Sequence, residues 1–406
     1  MVNILNVHET AQIAINNNVT LLGIGPMSIN TVKASIELAN EFNFPLLFIA
    51  SRNQVDKDEF GSGYANNWNQ NRFVSDVITI SKDIGYKGIT YICRDHGGQW
   101  QRDSEKKANI CFQKATINSN ESYLADIKAN FDLIHIDPTK ELLNNQITLP
   151  VVVDRVIDSI AYIESIRDKN HPLFYEIGTE ENGGGIIQSN NFEFFISLLL
   201  EKLTRNKLPK PTFIVGQIGT LVKMTKNIGI FDYNHTISLI EICKKYSICF
   251  KAHNADYLTF SNLSLFPNIG IAGANVAPEF GVSETRSYLE LGLKLNVTTF
   301  EEVIYQQLLL DDKWHKWLDK SIISTNFDNL SIRKNLIEAT GHYYFSQPIV
   351  KECINDLFSV AKKNGIHHPE RLVIENIKRT IKKYVDAFNL VNFNKILYDN
   401  LLDLKK

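Results

Sequence analysis

Paired cysteines are missing from this sequence. Its five cysteines, Cys93, Cys111, Cys243, Cys249 and Cys353, are scattered with no CxxC spacing. That argues against a disulfide framework and against a structural zinc knuckle. An excess of charge is missing too: 43 Lys and Arg stand against 45 Asp and Glu, for a formal net charge of -2. A nucleic-acid or anionic-membrane partner would leave a basic footprint, so neither is expected. No apolar run approaches the ~18 residues of a membrane span. The opening stretch from Met1 to Glu9 lacks the basic and then apolar regions of a secretory leader. The expectation is a soluble, cytoplasmic protein. A dinucleotide fingerprint is also lacking, because Gly23-Ile24-Gly25-Pro26 has no third glycine.

What is present is a series of apolar runs. Of the 406 residues, 44% are hydrophobic and 22% charged, enough for a sizeable core. About eight short runs rich in Val, Ile, Leu and Phe begin near Thr20, Pro45, Gly88, Phe131, Leu173, Pro211, Ser247 and Asn268. A helical stretch follows each. Near-continuous apolar character is what strands buried on both faces require. The series predicts a (β/α)₈ TIM barrel over residues 1–305. An open doubly wound sheet is the alternative, weakened by the missing glycine. After about Phe300 the strand-like runs stop. Residues 306–406 read as a C-terminal helical extension, with Trp314, Trp317 and Gly341-His342-Tyr343-Tyr344-Phe345 as aromatic patches. It packs on the barrel or on a second subunit, so a homo-oligomer is expected.

In such barrels catalytic groups collect at the carboxyl ends of the strands. The most pointed example is Tyr91-Ile92-Cys93-Arg94-Asp95-His96-Gly97-Gly98, an apolar run ending in a carboxylate, an imidazole and two glycines. Corresponding positions elsewhere hold Asn53 and Gln54, His135 and Asp137, Glu176 and Glu180, Gln217, His253 and Asp256, and Asn275. Two histidines, a carboxylate and an amide form a site for Zn²⁺ or a similar ion. Asp95 and Glu180 are the candidate proton carriers. His96, His253, Glu180 and Gln217 are the candidate metal ligands. Asn53, Gln54, His135, Asp137, Asp256 and Asn275 are the candidate substrate contacts. Each has an ordinary alternative: His135 as a satisfied core histidine, Glu176 as part of its strand, Gln217 as a backbone-bonding amide. Gly183 to Gly185 could cradle a phosphate. Lys251 is the one strand lysine near the site, weighed as a Schiff-base nucleophile against plain charge.

The ordered set Ser51-Arg52-Asn53-Gln54, Asp95-His96-Gly97-Gly98, Ile134-His135-Ile136-Asp137, Ile177-Gly178-Thr179-Glu180, Val215-Gly216-Gln217 and Ala252-His253-Asn254-Ala255-Asp256-Tyr257 resembles one family. It is similar to the larger, so-called non-catalytic subunit of class II D-tagatose-1,6-bisphosphate aldolase. The resemblance implies a barrel related to class II fructose-bisphosphate aldolases. There Asp95 would match the proton-transfer carboxylate, and His96 and His253 zinc ligands. Gln217 stands where those aldolases have a histidine. The resemblance also implies kinship with ketose 4-epimerases. Two functions follow as expectations. One is a metal-dependent enzyme that cleaves or epimerises a ketose or ketose phosphate. The other is a stabilising partner of a separate catalytic aldolase subunit.

Overall fold

The computed structural model describes residues 5–142, 147–179, 187–311, 314 and 330–404. Glu180, Gly183 to Gly185 and Trp317 lie outside the described residues. Eight strands close on themselves: β1 Leu21–Ile24, β2 Leu46–Ser51, β3 Thr90–Gly97, β4 Leu133–Ile136, β5 Phe174–Ile177, β6 Phe213–Val215, β7 Cys249–Ala252 and β8 Gly273–Val276. Every neighbouring pair is parallel, and β8 returns to β1 with Gly273 opposite Leu21. The chain is a (β/α)₈ TIM barrel with additional C-terminal helices.

Burial explains why these runs are strands. β1, β4, β6, β7 and β8 are buried along their whole length. Such strands have no solvent face, so alternation is lost and branched residues fill both sides. The eighth strand corrects the expectation. The run near Asn268 is a short helix, Phe266–Ile269, that Gly270 ends in a left-handed turn at φ +91°. The strand is the next stretch, Gly-Ala-Asn-Val.

The barrel is plugged at its amino end. The helix Val7–Asn16 carries Thr10, whose hydroxyl lies 2.6 Å from the Tyr91 hydroxyl. Tyr91 donates in turn to the Leu5 carbonyl at 2.8 Å. The other end stays open. The C-terminal helices pack outside, with Pro369–Ala387 lying against both Ile29–Phe42 and Pro278–Leu295. Arg371 clamps Glu37 there at 2.6 and 2.9 Å. Among the described residues no helix is long and apolar enough to cross a membrane.

A candidate metal and substrate site at the barrel mouth

Residues two apart on a strand share a face, so Tyr91, Cys93 and Asp95 of β3 point one way. His96 should therefore point to the other side. It does not, because β3 shifts register against β4 between Arg94 and Gly97, and His96 adopts a left-handed φ of +43°. A bulge of this kind re-aims one side chain. Asp95 and His96 thereby face the same mouth. The glycines that follow are required there: a Cβ on Gly97 would stand 2.7 Å from the His135 carbonyl oxygen.

At that mouth Asp95, His96, His135 and His253 converge, with ligand atoms all within 4.8 Å of one another. The imidazole centroids of His96, His135 and His253 lie 5.0 to 5.1 Å apart. Carboxylates orient two of these rings. Asp137 Oδ2 accepts from His96 Nδ1 at 2.6 Å, which leaves Nε2 open, 3.9 Å from Asp95 Oδ1. Glu176 Oε1 accepts from His253 Nε2 at 2.8 Å, which leaves Nδ1 open, 3.9 Å from Asp95 Oδ1. His135 Nδ1 takes the His96 backbone N–H at 3.1 Å, and its buried Nε2 has no hydrogen-bond partner. Two oriented imidazole nitrogens beside a carboxylate are a donor set that fits a divalent ion.

The electrostatics follow from burial and pairing. Burial alone would push the Asp95 carboxyl up, but His96, His135 and His253 outweigh it and hold it well below the usual range. Burial would lower His96, yet Asp95 and Asp137 raise it to about 9. Asp137, bonded to His96 and Thr139, is held down in spite of its burial. Glu176 is held at about 2 against burial, first by Lys251 and then by His135 and His253.

The cavity above these groups measures about 390 Å³ and is lined by Ser51, Asn53, Gln54, Asp256 and Asn275, among others. Asn275 Nδ2 donates to Asp95 Oδ1 at 3.1 Å and lies 3.0 Å from His253 Nε2. Gly23 makes room for it, since a Cβ there would meet Asn275 Oδ1 at 2.2 Å. Asn53 is engaged with the backbone of Gln101 and Asp103, and Gln54 with Ser51 and Met27. Asp256 accepts from the backbone N–H groups of Ala277 and Glu279, at the start of the helix Pro278–Leu295. Gln217 is not among the residues that line this cavity. Its carbonyl oxygen accepts from Gly219 and Thr220 at 3.0 and 3.1 Å.

Two central residues were undervalued by sequence reasoning. Glu176 bridges His253 and Lys251, and Lys251 Nζ lies 2.5 Å from Glu176 Oε2. A usable signal existed: each is a lone charge inside a buried strand, and such charges survive only when paired. His135, a candidate substrate contact with a core histidine as its alternative, is one of the three rings.

The same fold occurs in solved structures. A "probable tagatose 6 phosphate kinase" from Sinorhizobium meliloti 1021 matches with a TM-score of 0.73 and 17% identity, over 91% of this chain and 100% of that one. A fructose-bisphosphate aldolase from Campylobacter jejuni matches with a TM-score of 0.56 and 11% identity, over 96% of both chains. The YdjI aldolase from Escherichia coli K12 matches with a TM-score of 0.52 and 10% identity, over 95% of this chain and 97% of that one. At these identities the likeness is one of fold. No family model matches the chain, and no curated protein matches its sequence.

Proposed function

We propose that this protein is a metal-dependent sugar enzyme of the class II aldolase type. It acts on a ketose or ketose phosphate, by retro-aldol cleavage or by 4-epimerisation. The observation that carries the reading is the convergence of Asp95, His96, His135 and His253 at the open end of the barrel. Two of the solved structures that share the fold are named aldolases, which supports the same class.

His96 and His253 would hold the ion, each by the ring nitrogen not bonded to Asp137 or Glu176. A bound divalent ion supplies Lewis acidity, which lowers the cost of enediolate charge. Asp95 accepts the proton of the substrate hydroxyl. That C–O bond becomes a carbonyl, and the adjacent C–C pair passes to the ketone side as an enediolate. Departure of the aldehyde gives cleavage. Its return through the opposite face gives the epimer. Asn275 holds Asp95 by donating to its Oδ1. Cleavage is completed when the enediolate takes up a proton, and epimerisation when the reformed C–O⁻ takes back the one held by Asp95; Glu180, outside the described residues, is the second candidate for proton transfer and a candidate ligand.

Two measurements test this. Metal content of the purified protein is compared with that of His96→Ala and His253→Ala; equal content in all three sinks the site. A panel of ketoses and ketose phosphates is followed by NMR for new epimers or aldehydes. The second reading is a stabilising partner for a separate catalytic aldolase. Leu293, Leu310 and Leu330, at 79%, 79% and 78% exposure, favour it as apolar surface on the C-terminal half. Absence of turnover together with rescue of a co-expressed tagatose-bisphosphate aldolase decides for that reading.

A further inference from the structure

Two unlike groups of residues line the cavity. One is Asp95, His96 and His253. The other is Met27, Tyr64, His342 and Tyr343. Tyr64 and Tyr343 meet edge to face, with centroids 4.7 Å apart and planes at 81°. The His342 ring lies 4.2 Å from Tyr343 and 5.8 Å from Tyr64. Aromatic pairs in this arrangement hold each other's orientation and present a quadrupole that favours C–H edges over their faces.

This wall belongs to two distant parts of the chain. Tyr64 comes from the loop after β2, and His342 and Tyr343 from the turn Gly341–Tyr343. Two glycines set how closely that turn lies on the barrel. A Cβ on Gly281 would stand 2.8 Å from the His342 ring, and one on Gly341 would stand 2.7 Å from Thr285 Cγ2. The turn therefore rests directly on the helix Pro278–Leu295, whose first residue also lines the cavity. Nothing in the metal cluster needs this contact.

Gln101 adds a polar feature to the same cavity. It is 2% exposed, and its Nε2 donates to the Asp137 carbonyl at 2.7 Å. Its Oε1 has no hydrogen-bond partner. A buried acceptor with its amide pinned in one orientation is satisfied by a donor brought from outside. A sugar hydroxyl is such a donor.

We infer that the C-terminal segment completes the substrate pocket and reads the non-reacting end of the substrate. The Tyr64–Tyr343 pair receives the C–H-bearing end of a linear ketose, and Gln101 accepts from one of its hydroxyls. This rests on the sugar-enzyme reading for the substrate class, but it requires neither turnover nor a metal. Tyr343 is then a specificity-determining residue, with no part in proton transfer.

The test is saturation-transfer NMR on the full chain with ZnCl₂, using D-tagatose, D-tagatose 6-phosphate and D-fructose 6-phosphate as probes. The expected result is strongest transfer to protons at the end distant from the carbonyl. Tyr343→Leu raises Kd at least ten-fold with metal content unchanged, Tyr343→Phe retains most of the affinity, and Gln101→Leu weakens every probe. Transfer confined to the carbonyl end of wild type overturns the inference, whatever the variants do to folding. So does wild-type affinity in Tyr343→Leu, or binding of none of the probes by wild type. Distal contacts in a chain that holds no metal and turns nothing over sink the proposed chemistry and leave this inference standing.

Discussion

Glu176 Oε2 sits 2.5 Å from Lys251 Nζ, and both side chains are 1% exposed. The other oxygen of the same carboxylate holds His253. One buried ion pair therefore underlies one of the imidazoles at the mouth.

Removing one partner leaves an uncompensated buried charge, at a cost of about 3–5 kcal/mol. Glu176→Gln and Lys251→Met should each show that loss in denaturant titrations, and the double variant should recover most of it. Glu176 is held at about 2. An unfolded glutamate titrates near ~4.3, so its contribution is complete above that pH and disappears as pH falls through about 2. The acid limb of wild-type stability should flatten in Glu176→Gln.

Asp132 behaves in the opposite sense. Burial pushes its carboxyl up to about 7, although it accepts from the Ile92 N–H at 2.8 Å. The protonated form is favoured in the fold. Stability from this group is present below the unfolded value of ~3.9 and is lost as pH rises through about 7. Asp132→Asn should melt above wild type at pH 8 and level with it near pH 4, by calorimetry at both values.

Gln217 and His253 should separate cleanly in metal analysis. Gln217→Ala strips the carbonyl from the Gly219 and Thr220 amides and should cost about 1–3 kcal/mol, with metal stoichiometry unchanged. His253→Ala should lose the metal. Equal metal loss in both would restore Gln217 as a ligand.

A site assembled from β3, β4 and β7 exists only in the folded chain. A divalent ion at a hundredfold excess over its Kd should add about 2.7 kcal/mol, and EDTA should reverse the gain. His96→Ala should melt at the same temperature with and without the ion.

Asp95→Asn should retain the fold and lower turnover on the order of 10²–10⁴-fold, the usual contribution of a positioned acid or base. The assay is NMR on whichever ketose of the panel wild type converts. Undiminished turnover would remove Asp95 from proton transfer.

Most of the barrel was legible because strands buried on both faces leave continuous apolar runs. Gly273-Ala274-Asn275-Val276 leaves none: two small residues and an amide form a strand only because β1 and β7 flank it. Asp95-His96 could be read from its place at a strand end. That both side chains face one way could not, since the left-handed His96 has no sequence signature. Glu176 and Lys251 were obscured for a related reason. A single charge in an apolar run reads as a flaw until its partner, on a strand 75 residues away, is known. The approach of His342 and Tyr343 to Tyr64 is purely tertiary, and no local pattern encodes it.

Gly23 has little to show for itself, having no side chain to offer. Yet any larger residue there would evict the Asn275 amide that holds the acid in place. A single added methyl, buried deep in the first strand, is thus a lever on the reacting groups, and Gly23→Ala would silence them without touching one.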